Sequence, residues 1–351
     1  MTTPTQEQAV VDLEALGAWM DDHGLERGPI ADMQPLTGGT QNVMVRFARG
    51  EREFVLRRGP RHLRRASNDA IRREMRVLTA LAGTDVPHPR LVASCADEQV
   101  LAGAAFYLME PVRGFNPTVA LPDELRRDPT ALRAMGLAAA AALAALGAVD
   151  HEAVGLSDFG RPEGFLERQV PRWMGELESY GRLEGYPGPD IPGLDDVAAW
   201  LERHRPASFR PGILHGDFHF ANLMFAPDGT QVAAIVDWEM STIGDPLLDL
   251  GWLLAAWPTT AGPFADLLGP AGGLPTPAEV VARYAERSER DLTGVQWYVV
   301  LACFKLGIVL EGTYARSCAG QAPRETGERL RALTLTLFER ATATIAEGWR
   351  E

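Results

Sequence analysis

Residues 213–237, ILHGDFHFANLMFAPDGTQVAAIVD, constrain the fold of this 351-residue chain more than any other segment. Two apolar runs flank Pro227, Asp228 and Gly229, and that turn chemistry predicts a β-hairpin over LMFAPDGTQVAAIV. Into these apolar surroundings fall His215, Asp217, His219, Asn222 and Asp237. A carboxylate among apolar side chains is costly unless something pairs with it, so these positions demand partners. The hairpin is expected to fold Asp237 back beside Asn222, so that Asp217, Asn222 and Asp237 converge at one end of two buried strands. On this segment alone two readings stay open. Asp217 and Asn222 either cap turns by bonding their own backbone, or they do chemistry.

The length suits one large domain or two lobes with a substantial core. A net charge of −13 argues against a nucleic-acid partner, because phosphate backbones need a basic face; solubility accounts for the acidity. Cys95, Cys303 and Cys318 form no CxxC pair, which gives neither a disulfide framework nor a zinc site, and all three are expected to be buried small hydrophobes. The N-terminal stretch MTTPTQEQAVVDLEALGAWM carries acidic residues where a signal peptide needs basic ones, so a cytoplasmic location is expected. The Ala-rich run over 135–149 is too short to span a bilayer and predicts a buried helix, with no membrane partner.

The chain changes character near residue 110. Before it, VMVRF (43–47) and EFVLR (53–57) read as strands joined by a tight turn at ARGE. Ile71, Met75, Leu78 and Leu81 fall three or four apart and predict a helix that Gly83 ends. VLAGAAFYLME (100–110) supplies one or two further strands. Beyond it the chain is mostly helical, with Pro/Gly-rich breaks at 185–193 and 261–277. The expected organisation is a strand-rich lobe over 1–110 and a larger helical lobe over 111–351, an α+β chain with its ligand between lobes.

Phosphoryl transfer needs the residue set found at 217–237. One carboxylate orients an attacking hydroxyl and accepts its proton, while an amide oxygen and a second carboxylate hold the magnesium that bridges the nucleotide phosphates. Positioning and charge neutralisation carry most of the rate.

The spacing Asp217-x4-Asn222 followed by Asp237, in the form HGD and with IVDWEMSTIGDPLLDLGWLLA after it, resembles the aminoglycoside phosphotransferase family. FVLRRGP, REMRVLTAL, FYLMEPVRG, GLSDFGRPEGFLERQVPRW and FKLGIVLEGTYARSCAGQA are similar to its bacterial members related to the kinase-like domains fused to some acyl-CoA dehydrogenases. The resemblance runs from about residue 35 to 335. It implies a two-lobed, protein-kinase-like fold, with a small antiparallel sheet and a larger mainly helical lobe. It also implies an enzyme using ATP or GTP with Mg2+ to phosphorylate a hydroxylated small molecule. Asp217 would be the catalytic base, Asn222 and Asp237 the magnesium ligands, and His215 a brace for the loop. Gly38, Gly39, Thr40 and Asn42, in LTGGTQN, would belong to the phosphate-covering loop. Glu74 would pair with Arg57, which stands where most kinases carry Lys and could fork between Glu74 and a phosphate oxygen. Met109, Glu110 and Val112 would form the hinge at the adenine edge.

Plainer accounts exist for several of these positions. Glu74 could be a solvated helix charge near Arg72 and Arg73. Asp245 is expected to cap a helix that Pro246 begins, and Asp249 to bond the catalytic loop. Trp252, Trp257, Trp297 and Tyr298 read as core aromatics, and His219 as a packing residue beside the site. Glu311, Tyr314 and Arg316 suit an interhelical salt bridge better than a substrate contact. An unidentified metabolite, such as a hydroxylated acyl compound, is favoured as acceptor over an aminoglycoside, and macrolide, choline and homoserine acceptors stay open. A nucleotide-binding pseudokinase is the rival reading, and Arg57 is the feature that sustains it; a protein kinase is a third, disfavoured by Gly216 in the His-Gly-Asp triplet and by the lack of an Ala-Pro-Glu segment after Asp237.

Overall fold

The structure, a computed structural model, describes residues 11–36, 42–60, 62–63, 65–258 and 272–348. The chain divides into two compact units, residues 1–115 with 233–241 and residues 116–232 with 242–351. The crossover thus lies a few residues beyond the expected 110, and the segment carrying Asp237 returns to unit 1.

In unit 1, helix α1(Leu13–Asp22) is capped by Asp12, whose carboxylate accepts the Ala15 N–H at 3.0 Å. Then follow β1(Ile30–Pro35), β2(Val43–Arg49), β3(Arg52–Arg58), α2(Arg65–Leu81), β4(Leu91–Cys95) and β5(Phe106–Met109). The strands form one antiparallel sheet in the order β1-β2-β3-β5-β4. The hairpin predicted over 43–57 is present, with Arg49 opposite Arg52 and Gly50 at φ 59 in its two-residue turn. Val43, Val45 and Phe47 alternate inward along β2 and pack with Phe54, Phe106, Leu108 and Trp19. Arg49 is buried in the same layer, and its guanidinium donates to Gly28 O, Gly17 O and Asp21 Oδ1, which ties α1 to the sheet. In α2, Ile71, Met75, Leu78 and Leu81 are all buried, as their spacing predicts.

Unit 2 runs α3(Asp123–Arg126), α4(Pro129–Ala148), α5(Gln169–Ser179), α6(Leu194–Arg203), β6(Gly212–Leu214) and β7(Leu223–Phe225). At β8(Val232–Ile235) the chain passes into unit 1, and it returns with β9(Thr242–Gly244), which pairs antiparallel with β6. The turn predicted at Pro227–Gly229 is closed by Ala226 N–H to Gln231 O and Gly229 N–H to Ala226 O. The remaining helices are α7(Leu247–Ala255), α8(Pro277–Ala285), α9(Val295–Cys318) and α10(Arg324–Glu347). Helix α9 is the spine, packed against α5, α6, α7 and α10. Close approach needs small residues: a Cβ on Gly251 would fall 2.4 Å from Tyr298 O, and one on Gly307 2.6 Å from the Phe338 ring. The Ala-rich run belongs to the 20-residue α4, longer than the run itself. Both α4 and α9 are long and apolar enough to cross a membrane, yet 56% and 83% of those stretches are buried inside the protein.

Some expectations change. Helix α7 starts at Leu247, not Pro246; Asp245 sits one residue further out and still accepts the Leu247 N–H at 3.1 Å. Cys95 and Cys303 are buried but Cys318 is half-buried. Glu311 is fully buried and accepts from Arg331 and from the Tyr186 hydroxyl, each at 2.8 Å, so it bridges α9 to α10.

Candidate active site

In unit 2, β6 delivers the chain into a loop, His215 to Asn222, that ends in a 3-10 turn over Phe220–Asn222. Asp249, on the first turn of α7, pins the entry: it accepts the N–H groups of His215 at 2.6 Å and Gly216 at 2.9 Å. Gly216 turns the chain at φ 86, where a side chain would be strained. His215 is fully buried, and its Nδ1 accepts the Asp217 N–H at 3.3 Å, the expected brace.

These constraints aim the Asp217 carboxylate. Oδ1 accepts from the Trp252 indole at 3.1 Å and faces His219 Nε2 at 3.2 Å, and Oδ2 accepts the Asn222 amide at 3.0 Å. Burial pushes the Asp217 carboxyl up, but the His219 hydrogen bond, followed by electrostatic attraction to His219, His215 and Lys305, outweighs it and holds the group well below the usual carboxylate range. Asp217 therefore stays ionised. Asn222 uses its nitrogen on Asp217, at both the side chain and the main-chain oxygen, which leaves its amide oxygen as an atom that could hold a cation.

Lys305, on α9, completes this cluster. Its ammonium donates to Gly216 O at 3.1 Å and lies 4.3 Å from the Trp252 ring centroid. Sequence reading passed over Lys305, although one signal was available: it is the single lysine among the 34 Lys and Arg residues of the chain. Burial pushes Asp249 up to about 6 and Lys305 down to about 8.

In unit 1, the β3 residue Arg57 donates Nη2 to Glu74 Oε1 and to Asp237 Oδ1, each at 2.7 Å. Glu74 is buried, and its other oxygen accepts the Tyr107 hydroxyl at 2.7 Å, which rules out the solvated-charge account. The expected pairing of Arg57 with Glu74 is present, and the same nitrogen also meets Asp237. Asp237 has a left-handed backbone, φ 68 and ψ 66, uncommon for a residue other than glycine, and its side chain is 34% exposed. Glu239 lies with Glu74 and Asp237 in an acidic group whose ligand atoms are within 4.8 Å of one another, and Arg57 reaches two of its three members.

Of the predicted hinge, Met109 ends β5, and the Glu110 N–H donates to Arg90 O at 2.9 Å. Glu110 and half-buried Val112 border a cleft of about 500 Å3 shared with Arg46, Arg52 and Arg113. Asn42 is half-buried just before β2, whereas Gly38, Gly39 and Thr40 lie outside the described residues. Asp217 and Asn222 belong to unit 2 and Asp237 to unit 1.

The five-stranded antiparallel sheet of one unit and the helices around the Asp217 loop in the other make the kinase-like fold of the aminoglycoside phosphotransferases. Residues 32–298 match the phosphotransferase enzyme family, and the chain belongs to it. The crystal structure of a protein from Ralstonia eutropha JMP134, itself named only as a candidate aminoglycoside phosphotransferase, has 32% identity and a TM-score of 0.79 over 95% of this chain and 98% of that one. The GDP and kanamycin complex of APH(2")-IIIa shares the fold, with a TM-score of 0.59 at 18% identity over 95% and 99% of the two chains. Acyl-CoA dehydrogenase family member 10 of Mus musculus is 30% identical over 364 residues, 99% of this chain but 33% of that protein. This chain thus spans about a third of the length of that curated relative.

Proposed function

We propose that this protein transfers the γ-phosphoryl group of a magnesium nucleoside triphosphate, ATP or GTP, to a hydroxyl of a small molecule. The observation that carries the reading is the Asp217 carboxylate, held by the indole of Trp252 and the amide of Asn222 on a loop that Asp249 pins. Asp217 takes the proton of the acceptor hydroxyl as that oxygen attacks phosphorus. The Asn222 amide oxygen and the Asp237 carboxylate are the hard oxygen donors that suit magnesium. When bound, the ion neutralises phosphate charge. Membership of a phosphotransferase family supports the reaction class, and the GDP held by the 18%-identical structure supports a nucleotide donor.

For the acceptor we favour a hydroxylated acyl compound. The likeness to a protein named as an acyl-CoA dehydrogenase family member supports this choice, while the kanamycin of the distant neighbour keeps aminoglycosides in the comparison. A second reading, a nucleotide-binding protein without transfer activity, is favoured by Arg57, whose guanidinium engages the proposed metal ligand Asp237.

A coupled ADP- or GDP-release screen separates the readings. Aminoglycosides, amino alcohols, hydroxy acids and their CoA thioesters are offered with magnesium ATP or GTP. Acceptor-dependent release supports transfer. A nucleotide that binds, seen as a thermal shift, but is never consumed across the panel supports the second reading.

A further inference from the structure

Every basic side chain of the Lys/Arg type in this chain is arginine except Lys305. Arginine stands even on β3, where the family resemblance expects lysine. Lys305 is only 6% exposed, and it is the one charged side chain between Val295 and Leu310 of α9. Its ammonium lies between the rings of Trp252, at 4.3 Å, and Trp173, at 5.5 Å, and donates to Gly216 O at 3.1 Å. That carbonyl belongs to the peptide bond that leads into Asp217. Asp249 accepts the Gly216 N–H at 2.9 Å, so Gly216 is held from both ends. Trp252, whose ring the ammonium covers, donates its indole N–H to Asp217 Oδ1 at 3.1 Å.

We propose that Lys305 is a positioning residue for Asp217, fixing through the Gly216 carbonyl and the Trp252 ring where the proton-accepting carboxylate points. The inference rests on the reading of Asp217 as the base. A compact ammonium fits between two indoles and meets one carbonyl; a planar guanidinium is wider and demands several acceptors. Three charged groups face Lys305: Asp249 from α7, Asp217 from the loop and Arg172 from α5. Burial pushes the ammonium down, the two acids oppose the fall and Arg172 reinforces it, leaving the group at about 8.

The full chain labelled with 13C,15N-lysine reports one internal side chain, because there is one lysine. Its ε-carbon signal is expected to titrate with a midpoint near 8. In Asp217→Asn the midpoint should fall by about half a unit or more, as an anionic neighbour is lost. A midpoint that ignores Asp217→Asn overturns the proposal, since an ammonium that faces the carboxylate must sense the loss of its charge. Lys305→Arg and Lys305→Met should lower acceptor-dependent nucleotide turnover by about tenfold to a hundredfold, with KM for the nucleotide unchanged. Wild-type turnover by either folded variant also overturns it. Turnover that survives Asp217→Ala instead removes the reading of the base, and the lysine titration still decides whether Lys305 and Asp217 are coupled.

Discussion

Arg57 Nη2 donates to Asp237 Oδ1 at 2.7 Å, and the same nitrogen reaches Glu74 Oε1 at 2.7 Å. One guanidinium therefore neutralises a buried acid and orients a second that is a third exposed. Asp237 takes up its position in the left-handed region, at a cost of about 1 kcal/mol or more for a residue with a Cβ. Strain of this kind persists where the surrounding contacts demand it, and here Arg57 is one of them.

Removing the guanidinium strands Glu74, which is 1% exposed and keeps only the Tyr107 hydroxyl as a strong partner on its other oxygen. Arg57→Met is expected to lower stability by about 3–5 kcal/mol. Arg57→Lys retains a charge that can meet one acid and should lose less. Urea unfolding of the three proteins checks the order; equal midpoints for wild type and Arg57→Met contradict it.

Lys305 makes stability depend on pH with a definite sign. Its folded-state value near 8 lies below the ordinary 10.5, so between these values the unfolded chain binds more protons. Stability from this group therefore rises with pH across that window and is lost as pH falls through 8. Relative to Lys305→Met, wild type should gain in urea midpoint between pH 8 and about pH 10. A margin that stays flat or shrinks is the contrary result.

Two glycines should respond in opposite ways. On Gly251 a Cβ would meet the Tyr298 main chain at 2.4 and 2.5 Å, and backbone cannot step aside. Gly251→Ala should cost about 1–3 kcal/mol. Gly175, inside α5, has nothing within 4 Å of a built Cβ, and Gly175→Ala should gain up to about 1 kcal/mol. Thermal melts of both variants test this; changes of the same sign contradict it.

Much of this architecture is legible in the residues because burial imposes a period. Helix α2 shows itself through Ile71, Met75, Leu78 and Leu81, and the hairpin at 43–58 through alternation and a Gly50 turn. Strand β4, LVASC, lacks such a mark: it lies at the sheet edge and only Cys95 is buried. Motif spacing brings Asp217 and Asn222 together, since both lie on one short loop. It is silent on Trp252 and Lys305 as partners of that loop, because those contacts join residues 35 and 89 positions apart. Apolar neighbours made both look like core. The pairing of Arg57 with Asp237 spans 180 positions and likewise leaves no local pattern.

The most direct test compares Asp217→Asn with wild type on the best acceptor from the release screen, with magnesium-nucleotide binding followed by thermal shift. Turnover should fall by about 10²–10⁴-fold, the usual contribution of a positioned base, while the nucleotide shift is kept. Turnover by Asp217→Asn at the wild-type rate contradicts the account.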